Sequence, residues 1–369
     1  MKVTFPLMGT IELLITDLCR RLDVEAVPPP PISTKTVRLG VQYGPEFACL
    51  PLKITIGNFI EAMENGADTL IMAGGTGPCR FGYYAEVQKK ILKALGHKFE
   101  MIIVEPPLSS IKDFVGQFKF MAPHKSTWEL WEIIRACYYK GKTLDEVQKK
   151  VLEVRAYEKN IGETSKAYKK CQRLFENAFT SSQIDSAKKD SFTLLDQVAK
   201  DETRSPLKVG IVGEFYVVLE PFINFDIEEF LGTRGIYVHR SVYLTDWIGP
   251  SGENPVLGLS DKEVAKAAQP YLSHFVGGEG QATVGHIVKF VEEGFDGVIH
   301  LFPFTCMPET IAKSIFPKIT KDLGIPILSL VIDEQTGKAG VVTRLEAFID
   351  LLYSKRKQKM NSRVMSHSS

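Results

Sequence analysis

The sequence predicts an α/β protein: two Rossmann-like or flavodoxin-like domains with parallel sheets, plus a helical segment between or beside them. Three observations carry this. Continuous apolar runs of strand length recur near both ends of the chain, most of them alternating with helical patterns, as buried parallel strands require. None of the 20 prolines falls between Pro123 and Pro206, and that window holds only Gly141 and Gly162. Helix interiors exclude proline and tolerate glycine poorly. Finally, 369 residues suit about two domains of roughly 150 residues each.

The elements follow in order. Residues 1–122 form the first α/β domain, with β-rich runs at 3–9 (VTFPLMG), 37–44 (VRLGVQYG), 68–75 (DTLIMAGG) and 99–107 (FEMIIVEPP). PLKITIGNFIEAMENG and YYAEVQKKILKALG supply helical patterns between them. Residues 123–206 form the helical segment, where Val147, Val151 and Val154 recur at helical spacing. Residues 207–354 form the second α/β domain, with runs at 207–215, 235–243, 295–304 and 325–333. Residues 355–369 lack apolar periodicity and are expected to be a flexible, solvated basic tail.

Composition excludes several function classes. Lys+Arg number 45 and Asp+Glu 44, a formal charge of +1, so nothing favours nucleic acid as a partner. A hydrophobic content of 44% excludes disorder for most of the chain. No apolar stretch is long enough for a membrane span. Asp17 and Glu12 interrupt the first apolar run and no small-residue cleavage site follows, so a cytoplasmic protein is expected. Six cysteines are too few for a disulfide scaffold, and reduced thiols are then core filler or metal ligands.

The cysteines divide by context. Cys19, Cys137 and Cys171 sit in helical patterns and read as small buried hydrophobes. Cys49, Cys79 and Cys306 sit in loops rich in Gly and Pro, with Pro51, Pro78 and Pro308 within two residues. Cys79 and Cys306 each follow a predicted strand, one in each domain, where open α/β sheets bind ligands. Cys49 precedes a predicted helix, whose N-terminus stabilises a thiolate. No Cys-x-x-Cys pair occurs, so spacing alone leaves both core filler and a metal site open.

Five stretches, GPEFACLPLK, MAGGTGPCRFG, GGEGQATVGH, EGFDGVIHLFPFTCMPE and GKAGVVTRLEAFID, carry a resemblance. The chain resembles the 2-hydroxyacyl-CoA dehydratase component superfamily, and within it the CoA-protein-activase-related iron–sulfur proteins. The resemblance covers residues 40–350. It implies that Cys49, Cys79 and Cys306 hold a [4Fe–4S] cluster at the interface of two α/β domains. It also implies an ATP-dependent activase of the sugar kinase/actin fold as electron donor, a paralogous subunit or a second copy as dimer partner, and a small-molecule substrate. A relative with a double-cubane [8Fe–9S] cluster uses six cysteines per subunit, which is the alternative cofactor here. A non-catalytic relay or scaffold subunit is the alternative role.

The remaining candidates rest on chemistry. The amides around Gly74, Gly75 and Gly77 are expected to approach cluster sulfurs closely. Arg80 is a candidate for neutralising cluster or substrate charge, or else an ordinary surface arginine. GGEGQATVGH (277–286) is either an anion cradle at a helix start or a plain turn; it lacks P-loop spacing. Glu279 and His286 are candidates for acid–base work. His300 is expected in the core, Glu309 as a helix cap, and Tyr83 and Tyr84 as packing residues. Asp333 and Glu334 are placed towards the interdomain cleft, and Arg344 towards a carboxylate or phosphate.

Overall fold

A computed structural model describes residues 1–75, 77–105, 111–248 and 261–366. Pro106 and Pro107, which end the fourth predicted run, lie outside the described residues, as does the end of the tail. The described chain is α/β with two four-stranded, all-parallel sheets.

The first sheet contains β1 (Lys2–Thr4), β2 (Glu25–Ala26), β3 (Thr69–Ala73) and β4 (Glu100–Val104), in the order β2-β1-β3-β4. The second contains β5 (Leu207–Gly213), β6 (Ile236–Arg240), β7 (Gly297–Pro303) and β8 (Ile327–Ile332), in the order β6-β5-β7-β8. Both sheets therefore repeat one order, 2-1-3-4, found at the start of doubly wound flavodoxin-like sheets. The order reverses between the first and third strands of each sheet. Loops leaving those strands line the crevice beyond the carboxyl ends.

One predicted run is corrected. Residues 37–44 are not a strand but belong to helix α2 (Thr34–Tyr43), which follows α1 (Ile11–Arg21). Ser33 and Thr36 form a capping box that starts α2. Gly40 faces the next helix, α3 (Leu50–Glu64): a Cβ there would lie 1.9 Å from the Lys53 carbonyl oxygen. Gly57 of α3 is equally tight against the Thr36 carbonyl, at 2.2 Å. The two helices thus touch backbone to backbone, and the glycine serves that contact rather than a strand. The fourth strand of the sheet is instead the two-residue edge strand β2.

Helix α4 (Tyr84–Ala94) follows β3. The proline-free window is helical as expected: α5 (Thr127–Tyr157), α6 (Glu163–Glu176) and α7 (Ser181–Asp196). Val147, Val151 and Val154 are all buried. They join one apolar cluster that includes Phe5 and Leu70 on the first-sheet side and Ile211 and Leu301 of the second sheet. The helical segment therefore shares a core with both sheets. The second half adds α8 (Phe215–Leu219), α9 (Gly280–Glu292), α10 (Met307–Leu323) and α11 (Lys338–Ser366).

The tail is also corrected: α11 runs on through Ser366. Its Lys, Arg, Gln and Met residues are good helix formers. Arg356 further ties it down, reaching Asp296 Oδ2 at 2.6 Å and the carbonyls of Ser205 and Pro206 at 2.8 and 2.9 Å. Among the described residues no helix is long and apolar enough to cross a membrane.

Candidate metal centre

Three helical N-termini carry the three loop cysteines. Cys49 is the N-cap of α3, with Pro51 in its first turn. Cys306 is the N-cap of α10, with Pro308 in the matching place. Cys79 is the N-cap of a short 3₁₀ turn, Arg80–Tyr83, that leads into α4. Proline suits these positions because the first-turn N–H groups have no intrahelical partner. None of the three sulfurs is in a disulfide.

The cysteine loops lie near one another: Arg80 bonds the loops before Cys49 and Cys306, and a Cβ on Gly278 would meet both Pro308 and the Cys79 sulfur. Cys49 is close enough to act on both Cys79 and Cys306, and raises each thiol. Burial is the larger cause: it raises Cys49, pushes Cys79 up to about 11 and lifts Cys306 well above the usual thiol range. The free thiols therefore hold their protons, and a metal would have to displace them. Among the described residues no three His, Cys, Asp or Glu side chains are gathered tightly enough for a single metal ion.

Arg80 joins the three loops. It donates to the Phe47 carbonyl at 3.0 Å, just before Cys49, and to the Thr305 carbonyl at 2.8 Å, just before Cys306. It also reaches the Thr305 hydroxyl at 3.1 Å. Thr305 has φ +70°, a strained value for a β-branched residue. The arginine is thus committed to loop carbonyls, which accounts for it without any substrate.

The GGEGQATVGH loop packs on the same site. A Cβ on Gly277 would lie 2.8 Å from Pro78, and one on Gly278 would lie 3.3 Å from Pro308 and 3.9 Å from the Cys79 sulfur. Both glycines have positive φ. Glu279 follows them and is buried, and its Oε1 has no hydrogen-bond partner. Burial, with Glu309 and Glu214 nearby, raises its carboxyl well above the usual range. Glu279 directly follows Gly278, where a Cβ would lie 3.9 Å from the Cys79 sulfur, and its charge helps raise that thiol.

His286 does not. It lies about two turns further along α9, packed on Phe290 with ring centroids 6.2 Å apart and influenced by His239. Of the three glycines expected at the cluster, one has its amide engaged elsewhere. The Gly74 N–H donates to the Val104 carbonyl at 2.9 Å, extending the β3–β4 ladder, and a Cβ there would lie 2.2 Å from Glu105 Oε1. Gly75 packs on Gly82, and Gly77 turns the chain at φ +107°.

Two residues at the site escaped the sequence reading. Glu214 follows β5 directly and raises all three cysteines. Gly213 aims it there: at φ +135°, a Cβ would lie 1.8 Å from the Leu301 carbonyl oxygen. Burial lifts the Glu214 carboxyl to about 7, although the Val217 amide donates to it at 3.0 Å. Its position after a central strand, matching Cys306 after β7, was the available signal. Tyr84 packs at the start of α4, and its buried hydroxyl also hydrogen-bonds the Cys49 sulfur.

Behind Cys306 lies a buried polar chain. His300 Nε2 meets Glu309 Oε2 at 2.8 Å, His300 Nδ1 meets the Ser329 hydroxyl at 3.2 Å, and Thr283 donates to Glu309 Oε1 at 3.2 Å. His300 is in the core as expected, whereas Glu309 is a network member. Glu334 reaches across to buried Lys53 at 2.6 Å, and Arg344 donates to the Ser329 carbonyl at 2.6 Å, not to an anion. Cys19, Cys137 and Cys171 are buried elsewhere. Cys19 and Cys137 share a satellite core, and the Cys171 thiol lies 3.7 Å from the Ser191 carbonyl.

The donor set is three thiols, with buried carboxyl groups and a tyrosine hydroxyl around them. Soft thiolates select iron–sulfur clusters, zinc and copper(I). No family model matches the chain, and no curated protein matches its sequence.

Proposed function

We propose that this chain is an iron–sulfur redox protein resembling a 2-hydroxyacyl-CoA dehydratase or reductase subunit. Cys49, Cys79 and Cys306 would hold one [4Fe–4S] cluster between two α/β domains. The observation that supports this is the gathering of three unpaired cysteines, two from loops that follow β3 and β7 and one from the α2–α3 loop, which Arg80 ties to the Cys306 loop. Burial of the other three cysteines in helices supports one cluster over a double cubane.

When bound, such a cluster supplies one-electron chemistry and an iron without a protein thiolate. The chain's own groups would surround it. Tyr84 steadies the Cys49 sulfur, Arg80 holds the three loops in register, and the Gly277–Gly278 backbone leaves room at Cys79. Glu214 and Glu279 offer carboxyl protons at the site.

Electrons would come from an ATP-hydrolysing activase. Phe47, Tyr83, Phe304 and Met307 are 73, 59, 59 and 50% exposed, and all border the cysteine loops. Large exposed apolar groups gathered there favour a macromolecular partner over the site. The same observation favours the second reading, an electron relay without its own turnover.

Anaerobic reconstitution tests the proposal. About four irons and four sulfides per chain are expected, with loss in Cys49→Ala, Cys79→Ala and Cys306→Ala. Wild type without stoichiometric iron would refute it. Reduction by an activase with no turnover of any acyl-CoA would select the relay.

A further inference from the structure

A crevice opens at the amino ends of β5 and β6, beside α11. It holds about 330 Å³, and Arg204, Ser205, Thr233, Arg234, Gly235 and Tyr353 line it. No carboxylate lines it among the described residues. The loop that carries Cys306 follows β7, which pairs in parallel with β5. A seven-residue strand such as β5 spans about 20 Å, so crevice and cysteine loop lie at opposite edges of the sheet.

Two arginines reach the crevice with donors to spare, and both are open to solvent. Their side chains are 32 and 43% exposed, for Arg204 and Arg234 respectively. Arg204 donates its Nε to Asp201 Oδ2 at 3.3 Å, and its two terminal nitrogens have no hydrogen-bond partner among the described residues. Arg234 stacks on Phe230, with its guanidinium carbon 3.6 Å from the ring centroid, and gives Nη1 to the Phe230 carbonyl at 3.1 Å. Its Nη2 lies 3.6 Å from Glu346, too far for a hydrogen bond. A Cβ on Gly235 would lie 3.5 Å from Arg204 Nη1, which places that nitrogen beside the residue after Arg234.

The walls are held in place. Arg356 is spent on the Ser205 and Pro206 carbonyls and on Asp296, so it fastens the loop before β5 to α11. Tyr353 lies one turn earlier on that helix. The Ser205 and Tyr353 hydroxyls have no hydrogen-bond partner among the described residues. Free donors therefore come from three chain segments: the loop before β5, the turn before β6, and α11. A carboxylate offers two oxygens in one plane. A phosphate offers three or four in a tetrahedron, which suits donors from several segments, and guanidinium forks match it in geometry and charge.

We propose that this crevice binds a phosphate group, free or on a small monoester, through the terminal nitrogens of Arg204 and Arg234 and the Tyr353 hydroxyl. The site is independent of the cysteines and of any cluster. Calorimetric titration of the full chain at constant ionic strength tests it, with inorganic phosphate, glycerol phosphate and acetate as probes. At least one phosphate probe should bind saturably, about tenfold or more tighter than acetate. Tighter binding of the ester would identify a phosphorylated metabolite as the ligand, and equal or weaker binding would identify free phosphate. Arg204→Gln and Arg234→Gln should each weaken binding about tenfold, with circular dichroism like that of wild type. Lys357→Gln, which removes an exposed charge of α11 outside the crevice, should leave binding unchanged. No saturable binding of either phosphate, equal binding of acetate, undiminished binding by the folded arginine variants, or an equal loss in Lys357→Gln would overturn the proposal.

Discussion

Arg80 is exposed, yet its guanidinium holds the backbone just before two of the cysteines and sits beside the third. Arg80→Ala should cost only about 1 kcal/mol of stability, because exposed charged hydrogen bonds compete with water. Its larger effect should be local, with faster amide exchange at residues 46–49 and 304–307 while the sheets stay protected. Unchanged exchange there would remove the loop-joining role. The helical cysteines behave differently. Burial pushes Cys19 and Cys137 up to about 12, so they remain thiols. Cys19→Ala, Cys137→Ala and Cys171→Ala should each cost about 1–2 kcal/mol through lost packing. Iron content after reconstitution should not change, and loss of half the iron would revive the double cubane.

At the scale of elements, the site depends on how helices begin. Cys49 and Cys306 share a Cys-x-Pro start, and this pattern was legible as sequence before either helix was. The GGEGQATVGH loop was legible only as glycine-rich. Its purpose is contact: Gly277 closes on Pro78 at positive φ. Gly277→Ala should therefore cost roughly 1–3 kcal/mol, from strain and from the clash. Thermal unfolding would measure this, and a neutral result would mean the loop adapts without moving Cys79. The α2 segment shows the opposite failure. VRLGVQYG contains β-favouring residues, and the Ser33 cap that starts the helix lies outside the run. Local pattern lost to a helix–helix contact that only the folded chain contains.

At the scale of the molecule, buried charge joins the two sheet units. Lys53 is 4% exposed and reaches Glu334, 281 residues away. Glu334→Ala should destabilise by about 3 kcal/mol, because it strands a buried ammonium. Lys53→Met combined with Glu334→Gln should recover much of that, as read from urea midpoints. Acid sensitivity is set elsewhere. Burial, helped by Lys149 and Arg240, lowers His239 to about 4, and burial with His239 and Lys289 does the same to His286, against Asp261. Both folded values lie below the unfolded one, so the unfolded chain binds more protons between pH 6.5 and 4. Stability should fall as pH drops through that window, by roughly 3 kcal/mol per histidine. His286→Gln should flatten the dependence, and an unchanged slope would show that His286 is not held neutral.

Seven of the eight strand runs, the helical middle and the split of six cysteines into two kinds were determined by the sequence alone. They follow from local rules: apolar period, proline exclusion, and loop chemistry around sulfur. The tertiary structure decided which residues meet. It brought Glu214 and Tyr84 to the cysteines, left His286 at a distance, and turned Gly74 to a sheet ladder. Such contacts depend on how two sheets and a helical segment close around one core, which no local window of residues contains.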